Sequence, residues 1–128
     1  MSSFGNRKYY DRIHRRLVYA GAEASPQMWD EVWSEQDLQE KFFPPRYGME
    51  EQVVLSLTAR VLPPGSRVLE GGCGLGQMTF FLRQAGYDVV GVDFAERTVE
   101  RVRKFMPDLD VRYGDLERLC FDDGSFDG

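Results

Sequence analysis

The spacing of apolar positions changes near residue 67. Upstream of it, apolar residues recur at helical intervals. Tyr10, Ile13 and Leu17 fall on one helical face. Ser25-Pro26 predicts a helix start, with Ser as cap and Pro at the first helical position. Trp29 and Trp33, four apart, share a face of that helix. Ser34 with Asp37 forms a second capping signal, Leu38 and Phe42 follow at helical spacing, and Pro44-Pro45 ends the section. A longer helix fits residues 48–62, with Val54, Leu57 and Val61 lining one side and Pro63-Pro64-Gly65 as its stop.

From Arg67 the pattern alternates between strand and helix. Residues 67–70 are a short β-type run entering Gly71-Gly72-Cys73-Gly74-Leu75-Gly76. Met78, Phe81, Leu82 and Ala85 then repeat at i, i+3, i+4 and i+7, and Gly86 closes the helix. Residues 87–93 (YDVVGVD) are nearly continuous in apolar character, as expected of a strand covered on both faces. Val99, Val102 and Met106 line the next helix, Pro107 stops it, and residues 109–113 form a third strand. A β-α-β-α-β order predicts a parallel sheet with right-handed crossovers: an α/β, Rossmann-like fold of three strands and the start of a fourth, preceded by N-terminal helices. The domain division expected is a helical cap over residues 1–45 and a cofactor-binding unit over 46–128.

Composition narrows the class. The chain has 128 residues, 42% of them apolar and 29% charged, as in ordinary globular proteins. No apolar run reaches the length of a membrane span. Cys73 and Cys120 are far apart and lack metal-ligand or disulfide-framework spacing, which predicts no metal and a cytoplasmic setting. A net charge of −5 argues against nucleic acid as a partner. Arg7, Lys8, Arg12, Arg15 and Arg16 make a local basic patch, read as a solvated face.

The glycine run carries the first chemical signal. A tight strand-to-helix turn needs backbone freedom, and a ligand lying on it needs missing side chains; Gly72, Gly74 and Gly76 supply both. Asp93 ends the second strand, where parallel sheets open into a ligand crevice, and a carboxylate there can accept both hydroxyls of a ribose. The plainer alternative is a surface aspartate before a helix. Asp115, just past the third strand, could accept from an adenine amino group, with the Leu116 N–H on a ring nitrogen; a simple Gly-Asp turn is the alternative. Glu70 beside the glycines favours a cationic ligand group over a pyrophosphate. A dinucleotide fingerprint requires Gly or Ala where this chain has Gln77, so an NAD(P)-dependent oxidoreductase is the second reading.

In order and spacing, VLEGGCGLG, VVGVDFAE and GDLERLCFDDGSFD resemble the cofactor motifs of class I S-adenosylmethionine-dependent methyltransferases, of the methyltransferase-11 or UbiE-like type. The resemblance covers residues 67–127. It implies that Glu70, Gly72 and Gly74 hold the methionine part of the cofactor, that Asp93 holds the ribose with Phe94 on the adenine, and that Asp115 and Leu116 read the adenine edge. Phe121 and Phe126 are then core residues flanking the loop before a fourth strand that lies beside the first. Ala95 stands where a capping serine is usual, and Cys120 where proline is common.

The resemblance implies an enzyme methylating a small-molecule acceptor. It also implies that these 128 residues are an N-terminal piece holding the cofactor half, poorly stable and inactive by itself. A non-catalytic cofactor-binding scaffold is the third reading. No catalytic residue is assigned: His14, the only histidine, is read as a surface residue of the N-terminal helix. Tyr9, Tyr10, Trp29, Trp33 and Tyr47 are candidates for an acceptor pocket, although packing onto the domain is the expected role of most.

Overall fold

The computed structural model describes residues 7–20 and 24–128. The first helix expected from the sequence is instead a hairpin: β1 (Arg7–Asp11) pairs antiparallel with β2 (Arg16–Ala20). Asp11 explains the turn. Its Oδ1 accepts the N–H groups of Ile13 (3.0 Å) and His14 (3.2 Å), and Arg15 takes a positive φ of 51°. Residues 10, 13 and 17 share a helical face, yet Tyr10 pairs with Leu17 across the hairpin and Ile13 lies in its exposed turn. His14 therefore belongs to a turn, with Nδ1 2.7 Å from Asp11 Oδ2.

The remaining upstream elements are helical. In α1 (Pro26–Ser34) the Ser25 hydroxyl accepts the Met28 N–H, and in α2 (Leu38–Phe42) Asp37 accepts from Glu40. The next helix, α3 (Met49–Val61), does not turn its Val54, Leu57 and Val61 side inward. Leu55 and Leu62 pack beside Leu82 and Tyr87, whereas Val54, Leu57 and Val61 are exposed. The helix has apolar residues on more than one side, so its period alone does not select the inner row.

The α/β unit follows the predicted order: β3 (Arg67–Gly71), α4 (Gln77–Gln84), β4 (Asp88–Asp93), α5 (Glu96–Phe105) and β5 (Val111–Tyr113). The three strands are parallel in the order β3-β4-β5. β4 is central and buried from Val89 to Asp93, in keeping with its unbroken apolar run. Phe42, Phe80, Phe81, Val99, Val102 and Val111 form the main core, so α2 is packed into the unit.

The last residues lie along the free side of β3. Asp127 N–H donates to the Arg67 carbonyl (2.8 Å), and Leu69 N–H donates to the Gly128 carbonyl (2.9 Å). Phe121 and Phe126 are only half-buried and lie outside the main core. They meet edge to face at 4.9 Å, with Arg112 over one ring and Arg67 over the other. Their burial is local because the loop packs on itself.

Candidate functional site

The glycine loop is built around the end of β4. The N–H groups of Gly72 (2.8 Å) and Cys73 (3.0 Å) both donate to the Val92 carbonyl, and Gly76 N–H donates back to Cys73 (2.8 Å). Such tight winding needs positive φ at alternate residues: 74° at Gly72, 52° at Gly74 and 76° at Gly76. An L side chain resists that region, which explains the G-x-G-x-G spacing.

Asp93 ties the loop to the strand. Its Oδ2 accepts the Gly74 N–H at 2.8 Å and its Oδ1 accepts the Ala95 N–H at 2.9 Å. Each oxygen retains acceptor capacity, since a carboxylate offers about four lone-pair sites. The carboxylate is buried at the end of β4 and lines a cleft of about 600 Å³.

Gly72, Phe94, Asp115 and Leu116 line that cleft with Asp93. Asp115 Oδ1 accepts the Glu117 N–H (2.9 Å), which fixes the loop after β5. The Leu116 side chain lies over Gly71, where an added Cβ would come within 3.0 Å of it. Among the described residues, the Leu116 N–H has no protein acceptor.

Glu70 and Gly74 lie outside the cleft lining. Glu70 is half-buried and accepts the Thr79 hydroxyl. Burial pushes its carboxyl above the ordinary range; the Thr79 bond opposes this and the Asp93 charge adds to it. Gly74 is covered by Trp33, whose indole Cζ2 would stand 2.9 Å from a Cβ at that position.

The sequence did not single out Glu117, Ala24 and Gly114 on this cleft, whereas Trp29 and Trp33, candidates for a pocket although packing was expected of most such aromatics, both line it. Trp33 does both: it packs against the core and lines the cleft. The Trp pair at i, i+4 was the available signal, but it carries no information about what the face covers. Tyr47 instead stacks on Phe81 at 4.3 Å, and Tyr9 and Tyr10 are exposed on the hairpin. Gln77, where a dinucleotide site has Gly or Ala, donates its amide to the Lys41 carbonyl (3.0 Å) and holds α2 against α4.

A family model described as a methyltransferase domain matches residues 68–128. Demethylmenaquinone methyltransferase of Beutenbergia cavernae is 44% identical over 64 residues, which are 50% of this chain and 27% of that protein. An S-adenosyl-L-methionine-dependent Diels-Alderase of Talaromyces variabilis is 32% identical over 100 residues, 75% of this chain and 32% of its own. The crystal structure of a TehB-like SAM-dependent methyltransferase from Corynebacterium glutamicum superposes with a TM-score of 0.57 at 21% identity, covering 80% of this chain and 53% of that one, and shares the fold. The chain spans about a quarter to a third of the length of the curated relatives it matches. With a glycine loop wound on β4, an acid at the end of that strand, and these relatives, the α/β unit over residues 68–128 matches the methyltransferase-domain family and is similar to S-adenosylmethionine-dependent methyltransferases.

Proposed function

We propose that the cleft between the glycine loop, β4 and the loop after β5 binds S-adenosylmethionine, and that the whole protein methylates a small-molecule acceptor in the cytoplasm. The carrying observation is Asp93: one buried carboxylate braces the glycine loop and also faces a cleft of nucleoside size. In this reading Asp93 takes the ribose hydroxyls, Phe94 packs on the adenine, and Asp115 with the free Leu116 N–H reads the adenine edge. Gly72 leaves room for the methionine part, since a Cβ there would meet nothing within 4 Å. Glu70 and Gly74 act from behind the loop, one as a negative charge near the amino-acid end and the other as a turn residue beneath Trp33.

The donor set fits a cation better than a pyrophosphate. Asp93, Asp115 and Glu117 line the cleft and Glu70 stands close to Asp93, so anionic ligands are repelled. Bound here, the cofactor supplies a methyl group already activated on a sulfonium. The protein's share is then to orient that group and keep water from it, with the Trp29–Trp33 side of the cleft as the dry wall. No residue is assigned as general base.

The Diels-Alderase relative supports a second reading, in which the same cleft serves a reaction other than methyl transfer. Titration calorimetry with S-adenosylmethionine, S-adenosylhomocysteine and NAD tests the binding. Binding of NAD alone would sink the proposal. With an acceptor in hand, release of S-adenosylhomocysteine in step with product separates the two readings.

A further inference from the structure

Helix α5 begins without a cap of its own. Ala95 occupies the N-cap position and offers no side-chain acceptor, although the first N–H groups of any helix need one. The acceptor arrives from α1. Asp30 Oδ1 stands 2.8 Å from the Thr98 N–H nitrogen and 2.9 Å from the Thr98 hydroxyl, at the third position of α5, where a local cap would bond. A second tie runs the opposite way. The Arg101 guanidinium of α5 donates to the Trp33 carbonyl at 2.9 Å, in the last turn of α1, and to the Gln36 carbonyl just beyond that helix. A cation suits carbonyls at a helix C-terminus, where the negative end of the helix dipole lies.

These bonds matter because α1 has no fully buried residue. Apolar burial alone anchors it weakly, so the polar ties set where it lies. Its indoles, stacked at 6.3 Å, form one side of the cleft, and Trp33 lies against Gly74. The first turn of α5 in turn follows directly on Asp93 and Phe94.

We propose that Asp30 is a positioning residue for the cleft: it caps α5 in place of residue 95 and thereby holds the Trp29–Trp33 wall over the glycine loop. Closure of the wall is thus coupled to the order of α5's first turn. The consequence for cofactor affinity rests on the S-adenosylmethionine reading; the coupling of α1 to α5 does not.

The test uses the full chain and three variants: Asp30→Ala, Asp30→Asn, and Asp30→Ala combined with Ala95→Ser. Trp29 and Trp33 are the only tryptophans, so their emission and its quenching by acrylamide report on the wall directly. Asp30→Ala is expected to red-shift the emission, raise quenching, lower the thermal midpoint and weaken S-adenosylhomocysteine binding about tenfold, because the closed form becomes a minor population. Asp30→Asn, which keeps a capping oxygen, retains both emission and affinity. Adding Ala95→Ser gives α5 a local cap, so the thermal midpoint recovers while the emission shift and weak binding persist. Recovery of wild-type emission in that double variant would reduce Asp30 to a helix cap and overturn the proposal, as would unchanged emission in Asp30→Ala. If the wild-type chain binds no S-adenosylhomocysteine, the cofactor reading fails, and the emission data alone still decide whether Asp30 holds the wall.

Discussion

The Asp93 carboxylate accepts the Gly74 N–H at 2.8 Å, joining the end of β4 to the middle of the glycine loop across nineteen positions of sequence. Its other oxygen takes the Ala95 N–H. Asp93→Asn replaces one acceptor with an NH₂ group that must face one of those N–H donors. A loss of about 1–3 kcal/mol is expected, as for a buried donor left unpaired. Denaturant unfolding measures it, and calorimetry with S-adenosylhomocysteine should show weaker binding in the same variant.

Two of the loop glycines, Gly72 and Gly74, should fail differently. Gly72→Ala pays for its positive φ, about 1–2 kcal/mol, and meets no neighbour. Gly74→Ala carries a similar backbone penalty and also drives a Cβ to 2.9 Å from the Trp33 ring. Thermal unfolding should rank Gly74→Ala as the more damaging. Tryptophan emission should shift only in that variant.

A strand glycine provides a control away from the cleft. At Gly91 in β4 a Cβ would sit 2.5 Å from Thr79 Oγ1 and 3.0 Å from the Cys73 Cβ and Sγ. Gly91→Ala is therefore expected to cost about 1–3 kcal/mol by overpacking. The matching outcome is a lower unfolding midpoint with unchanged tryptophan emission.

Glu70 predicts a pH dependence. Its carboxyl is raised in the folded protein, chiefly by burial, so the folded state holds that proton more tightly than the unfolded state does. This contribution to stability is complete below the ordinary carboxylate pKa and is lost as pH rises through the raised value. The stability difference between the wild type and Glu70→Gln should change across that window and be flat outside it, as read by unfolding at a series of pH values. Binding of the cationic S-adenosylmethionine should tighten over the same rise in pH, since it favours the ionised carboxylate.

The two thiols should separate by reactivity. Cys120 is exposed, while Cys73 is buried and its thiol is pushed far up by burial and by the Glu70 and Asp93 charges. A disulfide reagent should modify one equivalent rapidly in the native protein, at Cys120, and the second only on unfolding. Mass mapping of the labelled peptide checks the assignment.

What the sequence determined by itself was what local chemistry encodes. The α/β unit was legible because helix and strand have different apolar periods and because Gly86 and Pro107 stop helices by backbone rules. The alternation of glycines at 72, 74 and 76 likewise marks positive φ, a property of single residues. The hairpin was not legible: Tyr10, Ile13 and Leu17 fit a helix by spacing, and the Asx turn at Asp11 outweighed that pattern. The inner row of α3 was also missed, since several rows are apolar and only packing against Leu82 and Tyr87 selects one. Tertiary structure alone placed Trp33 on Gly74 and brought Asp30 to Thr98, 68 residues away. A helix needs some acceptor for its first N–H groups, but nothing in local sequence says which distant side chain will provide it.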